Sequence, residues 1–243
     1  MKKVAVITGS AKGIGRATIE KFASLGYDVI IHYNNSEKEA ILLKEKVEKE
    51  YNIEALLVKA DLSKEEEINK MVEKIKEKYS HIDTLVNNAA FCLDTLYEEK
   101  TKENMLKTYD INVVAPFLLV KYLSPYMEGG SIINVSSING IDTYFPMCLD
   151  YDASKSALIS LTHNLALQYS PNIRVNAVAP GFIGTESELD GMDEEFIKLE
   201  EEKIFLKRIG KPEEVANVIA FLAGNESSYI NNTIIRVDGG HYS

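Results

Sequence analysis

The chain has 243 residues, 45% apolar and 26% charged, which is ordinary usage for one sizeable α/β domain. With a net charge of −10 and no Lys/Arg tract, nucleic acid is not an expected partner. Two cysteines (Cys92, Cys148) without a CxxC pair fit a reducing cytoplasm, and four scattered histidines show no metal spacing, so no metal is expected. The apolar run Val4–Ile7 is too short for a signal peptide or a membrane span.

Val4–Ile7 reads as a buried strand. It leads into Thr8-Gly9-Ser10-Ala11-Lys12-Gly13-Ile14-Gly15 and a helix-compatible run from Arg16 to Leu25. Strand, glycine turn and helix N-terminus together make an anion site, because the glycines let a pyrophosphate approach the backbone. The spacing is GxxxGxG rather than GxGxxG. A second strand, Tyr27–His32, ends in His32-Tyr33-Asn34-Asn35-Ser36 with no acid before Glu37. An NAD site of this general kind places Asp or Glu there to hold the ribose 2′-hydroxyl. The missing acid, and Lys12 in the glycine turn facing a 2′-phosphate, favour NADP(H) over NAD(H). The other reading is a solvated lysine beside a polar turn.

Glu37–Tyr51 is a charged amphipathic helix and Glu54–Lys59 a third strand. Ser63 is placed to cap the next helix, Lys64–Tyr79, with Glu66 at the capping-box position. Asp61 either contacts the adenine end of a cofactor or stabilises its own turn. The fourth strand, Asp83–Asn87, ends in Asn87-Asn88-Ala89-Ala90, small residues at the sheet edge where open α/β sheets bind ligands. Lys102–Met127 holds one long helix or two in succession, with Pro116 inside. Asn112 is a poor helix former there, and reads as a buried hydrogen-bonding group or a kink. Ser131–Val135, Ile173–Val178 and Thr233–Val237 complete seven strands, with helices over Tyr151–Tyr169 and Pro212–Leu222. The acidic segment 186–205 is a candidate substrate lid. Strands and helices alternate throughout, so the expected fold is a parallel sheet covered by helices on both faces.

Tyr151 and Lys155 stand four apart on one helix face. A nearby ammonium favours phenolate over phenol, so such a tyrosine can trade a proton with a carbonyl or alcohol oxygen near neutral pH. The alternative is a packed tyrosine and a solvated lysine.

Taken in order, Thr8–Gly15, Asp61-Leu62, Asn87-Asn88-Ala89, Asn112, Ser136-Ser137, Tyr151 with Lys155, Pro180-Gly181 and Asp238-Gly239-Gly240 resemble the short-chain dehydrogenase/reductase family nearly end to end. Within it, the nearest likeness is to bacterial 3-oxoacyl-(acyl-carrier-protein) reductases and related carbonyl reductases. The resemblance implies one Rossmann-type domain over residues 1–243, a doubly wound seven-stranded parallel sheet, and NADP(H)-dependent interconversion of a carbonyl and a secondary alcohol. Tyr151 would be the general acid or base. Lys155 would lower its pKa and bind the nicotinamide ribose, Ser137 would hold the substrate oxygen, and Asn112 would hold a water linking Lys155 to solvent. Ser137 is preferred to Ser136 because it stands three before Gly140. Cofactor contacts would come from Gly9, Ser10, Lys12, Gly13, Ile14, Gly15, Asn34, Asp61, Leu62, Asn88, Ala89, Tyr151, Lys155, Pro180, Gly181 and Ile183. The resemblance also implies a homotetramer with the Asn112 and Tyr151 helices at one interface, in the cytoplasm that the cysteine usage suggests.

The chain departs from the family pattern at Ala90, at Asn231-Asn232, and at Met127-Glu128-Gly129-Gly130, where a carrier-binding enzyme would show Arg or Lys. An NAD(P)-dependent sugar, steroid or polyol dehydrogenase is the alternative activity. A non-catalytic nucleotide sensor on the same fold is the competing class.

Overall fold

The computed structural model describes residues 2–189 and 193–242. Strands and helices follow one another as β1 (Val4–Ile7), α1 (Gly13–Ser24), β2 (Asp28–Tyr33), α2 (Glu37–Tyr51), β3 (Ala55–Lys59), α3 (Glu65–Lys78) and β4 (Thr84–Asn87). Then come α4 (Lys102–Tyr109), α5 (Ala115–Leu123), β5 (Ser131–Val135), α6 (Leu149–Tyr169) and β6 (Arg174–Pro180). Last are α7 (Glu186–Leu189), α8 (Glu194–Glu202), α9 (Pro212–Ala223) and β7 (Ile234–Val237). The strands form one seven-stranded sheet in the order β3-β2-β1-β4-β5-β6-β7, parallel throughout.

The near-continuous apolar strands follow from burial on both faces. Side chains alternate along a strand, so Val4 and Val6 enter one core while Ala5 and Ile7 enter the other. The first core takes Ile68, Met71, Val72 and Ile75 from α3, Leu119 and Leu123 from α5, and Leu165 from α6. The second takes Ile19 and Phe22 from α1, Leu43 and Val47 from α2, and Val215 and Ile219 from α9. Each fully buried aliphatic side chain contributes roughly 1.5–3 kcal/mol relative to exposure.

Several local expectations need correction. α1 begins at Gly13 rather than Arg16, so the glycine turn runs into the helix. Ser63 does not cap α3: its hydroxyl donates to Asp61 Oδ1 (2.7 Å), and Glu67, not Glu66, accepts the Asp61 amide (2.7 Å). The span 102–127 is broken by a π-helical turn, Asp110–Val114, between α4 and α5, with Pro116 in the first turn of α5, where its missing N–H does little harm. Residues 190–192 of the lid expected over 186–205 lie outside the described residues; within the rest, α7 and α8 are helical. Asn232, at φ +62°, occupies a left-handed position, which explains why glycine would suit it and why asparagine is tolerated.

Candidate active site

β1 and β4 are sheet neighbours, but the chain leaves them toward opposite faces: α1 packs in one core and α5 in the other. Ligand crevices of open α/β sheets form where connections diverge this way. A cleft of about 560 Å³ opens there, within the usual range for small-molecule sites. Of the residues expected at the site, Gly9, Lys12, Gly13, Ile14, Gly15, Asn88, Ser137, Tyr151, Lys155, Pro180, Gly181 and Ile183 line it. Ser10, Asn34, Asp61, Leu62, Ala89 and Asn112 are not on its wall.

The glycine turn is held from three sides. Gly9 has φ +60°, and a Cβ there would fall 2.8 Å from Ala89 Cα; one on Gly15 would fall 2.4 Å from the Gly9 carbonyl oxygen. Asn88 Nδ2 donates to the Thr8 and Gly9 carbonyls (2.8 and 3.1 Å), and Thr8 Oγ1 accepts the Asn88 and Ala89 amides (2.9 and 3.0 Å). From β2, buried His32 accepts the Gly9 amide at Nδ1 (2.9 Å) and, as the Nε2–H tautomer that pairing requires, donates to the Ala60 carbonyl (3.1 Å). Burial pushes His32 down to about 4, so the ring stays neutral and can accept. Ser10 is turned toward the same strand, accepting the His32 amide at its hydroxyl (3.1 Å). Sequence reading missed His32; the available signal was a polar ring closing an otherwise apolar strand.

Lys12, at the N-cap of α1, makes no side-chain capping bond, and the first turn carries no acid. A helix end of this kind favours an anion. Lys12 lies at this end, ion-paired to Glu39 (2.8 Å). Tyr33 donates its hydroxyl to Glu37 (3.0 Å). Asp61 Oδ1 accepts from the Ser63 amide and hydroxyl, so its carboxylate braces its own turn.

At the centre of the cleft stands Lys155, 2% exposed, its Nζ donating to the Val135 carbonyl (2.8 Å) and lying 5.3 Å from the centroid of the Tyr151 ring. Burial pulls its ammonium down to about 8. The two serines after β5 divide their work. Ser136 Oγ donates to the Lys155 carbonyl (2.9 Å), tying β5 to α6, whereas Ser137 Oγ accepts a local amide, from Asn139 (3.2 Å). Asn139 in turn donates to Asp152 (2.7 Å), which also accepts the Phe145 amide (3.0 Å). Asp152, also missed from sequence, thus fixes the turn carrying Ser137 to the helix carrying Tyr151. Asn112 in the π turn is fully buried. Its amide grips Phe91 through both backbone groups (2.7 and 2.9 Å) and donates to Ser154 Oγ (2.9 Å), which donates to the Tyr151 carbonyl (2.7 Å).

The outer half of the cleft is built from loops. Phe196 of α8 packs edge-on against Phe145 and Phe182, with ring centroids 6.3 and 6.4 Å away. Ala90, Cys92, Asp94, Cys148, Glu200 and His241 also face it. A short antiparallel bridge, Ile204 to His241, ties the segment after α8 to the end of the chain.

A family model described as Enoyl-(Acyl carrier protein) reductase matches residues 9–242. The chain is 40% identical to the 3-oxoacyl-(acyl-carrier-protein) reductase FabG of Thermotoga maritima, over 98% of this chain and 97% of that protein. It is 36% identical to glucose 1-dehydrogenase 2 of Bacillus subtilis, over 98% of this chain and 94% of that protein. Among solved structures, a blue fluorescent protein from a metagenomic library, in complex with NADPH, superposes with a TM-score of 0.93 at 31% identity, covering 99% of this chain and 98% of that one. With the parallel sheet, the glycine turn and the Tyr151/Lys155 helix meeting in one cleft, these likenesses place the chain in the short-chain dehydrogenase/reductase family of oxidoreductases.

Proposed function

We propose that the chain works as one catalytic domain that interconverts a carbonyl and a secondary alcohol with NADP(H). The observation that carries this reading is Lys155: a fully buried ammonium, beside the Tyr151 ring, on the wall of a cleft that begins at an anion-ready helix end. Burying a charge without a strong partner is unfavourable for stability, so its retention points to chemistry. The glycine turn fits a dinucleotide, because side chains at Gly9 and Gly15 would collide with the backbone that shapes the cradle. When bound, the reduced nicotinamide supplies hydride to the carbonyl carbon.

The chain's own groups handle the oxygen. Tyr151 gives its hydroxyl proton to the oxygen as negative charge develops there. Ser137 Oγ, facing the cleft, donates a second hydrogen bond to that oxygen, where a fixed donor counts most in the transition state. The Lys155 ammonium stabilises the phenolate left behind. With one of its three donors on Val135, it keeps others for the ribose. The Asn112 side-chain amide is taken up by Phe91 and Ser154, so a water joining Lys155 to solvent would rest on the Asn112 main chain. Lys12 would leave Glu39 to meet the 2′-phosphate.

For the substrate, a 3-oxoacyl thioester is the first reading, supported by likeness to the Thermotoga reductase. A free sugar, steroid or polyol is the second. Two observations favour it: the acidic run of α8, which would repel an acidic carrier protein, and likeness to a glucose dehydrogenase. Exposed Val114 and Phe117 near α5, and Leu167 on α6, support a homotetramer joined through those helices. The test is Tyr151→Phe, assayed by nicotinamide absorbance with NADPH or NADH against an acetoacetyl thioester, diketones, sugars and steroids. We expect kcat to fall by about 10²–10⁴-fold or more with NADPH affinity kept. Full turnover by the variant would remove Tyr151 as proton donor, and tight NADPH binding without turnover of any carbonyl would favour a nucleotide sensor.

A further inference from the structure

The chain's two cysteines, 56 positions apart, come together at the cleft mouth. Cys92 Sγ and Cys148 Sγ are 3.6 Å apart, and each thiol donates to the same oxygen, Asp94 Oδ1, at 3.1 Å. Neither the oxidoreductase chemistry nor the packing of the two cores uses this cluster. Its shape is that of a coordination face. Around a tetrahedral Zn2+, with Zn–S about 2.3 Å and Zn–O about 2.0 Å, two sulfurs stand about 3.8 Å apart and a sulfur and an oxygen about 3.5 Å. The observed triangle expands to that size by a few tenths of an ångström. A disulfide would need the sulfurs to close from 3.6 Å to about 2.05 Å.

The two ligand-bearing segments are braced where they stand. Asn112 clamps the backbone of Phe91, next to Cys92. Lys100 donates to the Leu93 carbonyl and to Asp150 Oδ1, and so ties the loop after β4 to the first turn of α6, which follows Cys148. The Thr95 amide donates to the Met147 carbonyl (3.4 Å), next to Cys148. Cys92 and Asp94 are exposed, so a cation reaches the cluster from solvent.

We propose that Cys92, Asp94 and Cys148 form a binding site for a thiophilic divalent cation of the Zn2+ type, joining the loop after β4 to the loop before α6 at the mouth of the cleft. Three protein ligands leave one coordination position for water or a substrate oxygen. Binding displaces the two thiol protons to solvent and leaves two thiolates and a carboxylate on the metal, with no change of oxidation state. The site shares the cleft with Tyr151, Lys155 and Ser137 but takes none of their side chains as ligands, so cobalt binding is read independently of turnover.

The experiment titrates Co2+ into the reduced, full-length protein under anaerobic conditions. We expect one cobalt per chain, a thiolate-to-cobalt charge-transfer band, and loss of the band when Zn2+ is added. Cys92→Ser, at an exposed position, should abolish most of the band and weaken binding by more than about 100-fold, beyond what losing an outer-sphere partner costs. Asp94→Asn should weaken binding while keeping the thiolate band. Absence of a band in the wild-type protein would overturn the proposal, as would binding unchanged in Cys92→Ser. So would a Cys92–Cys148 disulfide formed by a small disulfide reagent in a protein that takes up no cobalt when reduced.

Discussion

Replacing Lys155 by methionine separates the two consequences of burying an ammonium. Methionine keeps much of the chain's length and apolar bulk but carries no charge. In the folded protein burial holds the amine at about 8, against an ordinary value of 10.5. At pH 7 the amine is charged in both folded and unfolded states, and the mismatch costs the folded state about 3 kcal/mol. Between about pH 8 and 10.5 the unfolded chain binds more protons than the folded one. The wild type therefore gains stability as pH rises through that window, and loses it again as pH falls toward 8. The substitution removes this dependence. It also orphans the Val135 carbonyl, at a cost of about 1–3 kcal/mol that does not vary with pH. Near pH 7 the variant should thus match the wild type or exceed it by up to about 2 kcal/mol, despite losing activity. Its advantage should shrink by about 3 kcal/mol on going to pH 10.5 and change sign. Denaturant unfolding of both proteins at matched pH values from 7 to 10.5 reads this, because titrating groups that do not interact with Lys155 cancel in the difference, and the same pair made in a Tyr151→Phe background removes the neighbouring phenol. A difference that stays flat across the range would mean an ordinary lysine, and the argument from a buried charge would collapse.

Two further outcomes follow from the cofactor end. Lys12→Ala should weaken NADPH by about 10-fold or more while leaving NADH nearly unchanged, and Glu39→Gln, by freeing the Lys12 ammonium, should tighten NADPH; equal effects on the two cofactors in a fluorescence titration would count against a 2′-phosphate contact. His32 is held near 4 by burial, so wild-type stability should be full above about pH 6.5 and fall by up to about 3 kcal/mol as pH drops toward 4. His32→Gln should flatten that slope in the same unfolding assay, and an unchanged slope would place the acid sensitivity elsewhere.

The strand-and-helix frame was legible because its signals are local. Apolar runs bounded by turn residues placed β1 and β5, and amphipathic spacing placed α2, at the positions the structure shows, and the other strands lie within two residues at either end. The glycine turn and the Tyr151/Lys155 pair were legible for the same reason: each is a few adjacent residues whose chemistry needs that spacing. What sequence reading missed depends on contacts between distant segments. His32 serves the glycine turn only because β2 lies beside β1. Asp152 matters because its helix brings it to Asn139. The poor helix propensity of Asn112 signalled a disturbance, and the structure resolves it as a π turn that buries the amide against the Phe91 backbone. The Ser63 cap failed because α3 begins one residue later than the pattern suggested, with Lys64 at the N-cap, and the Ser63 hydroxyl is turned back to donate to Asp61.

The cleft's two halves are held by different forces, and this explains why the chemistry is easier to read than the substrate. Around Tyr151 and Lys155 the polar groups are buried and bonded to strands and helices: Lys155 to β5, Ser136 to α6, Asn112 to Ser154 of α6. Changing any of them leaves an unsatisfied buried group, so this half tolerates little variation. The outer half is made of Phe145, Phe182 and Phe196, from three loops or lid elements that meet through ring edges rather than backbone ladders. Such contacts are exchangeable at about 0.5–1.5 kcal/mol each, and their loss orphans no polar group. A change of substrate can therefore be made at those rings while Lys155 and its partners stay in place. Relatives whose names point to acyl and sugar substrates can then match this chain about equally well over its whole length.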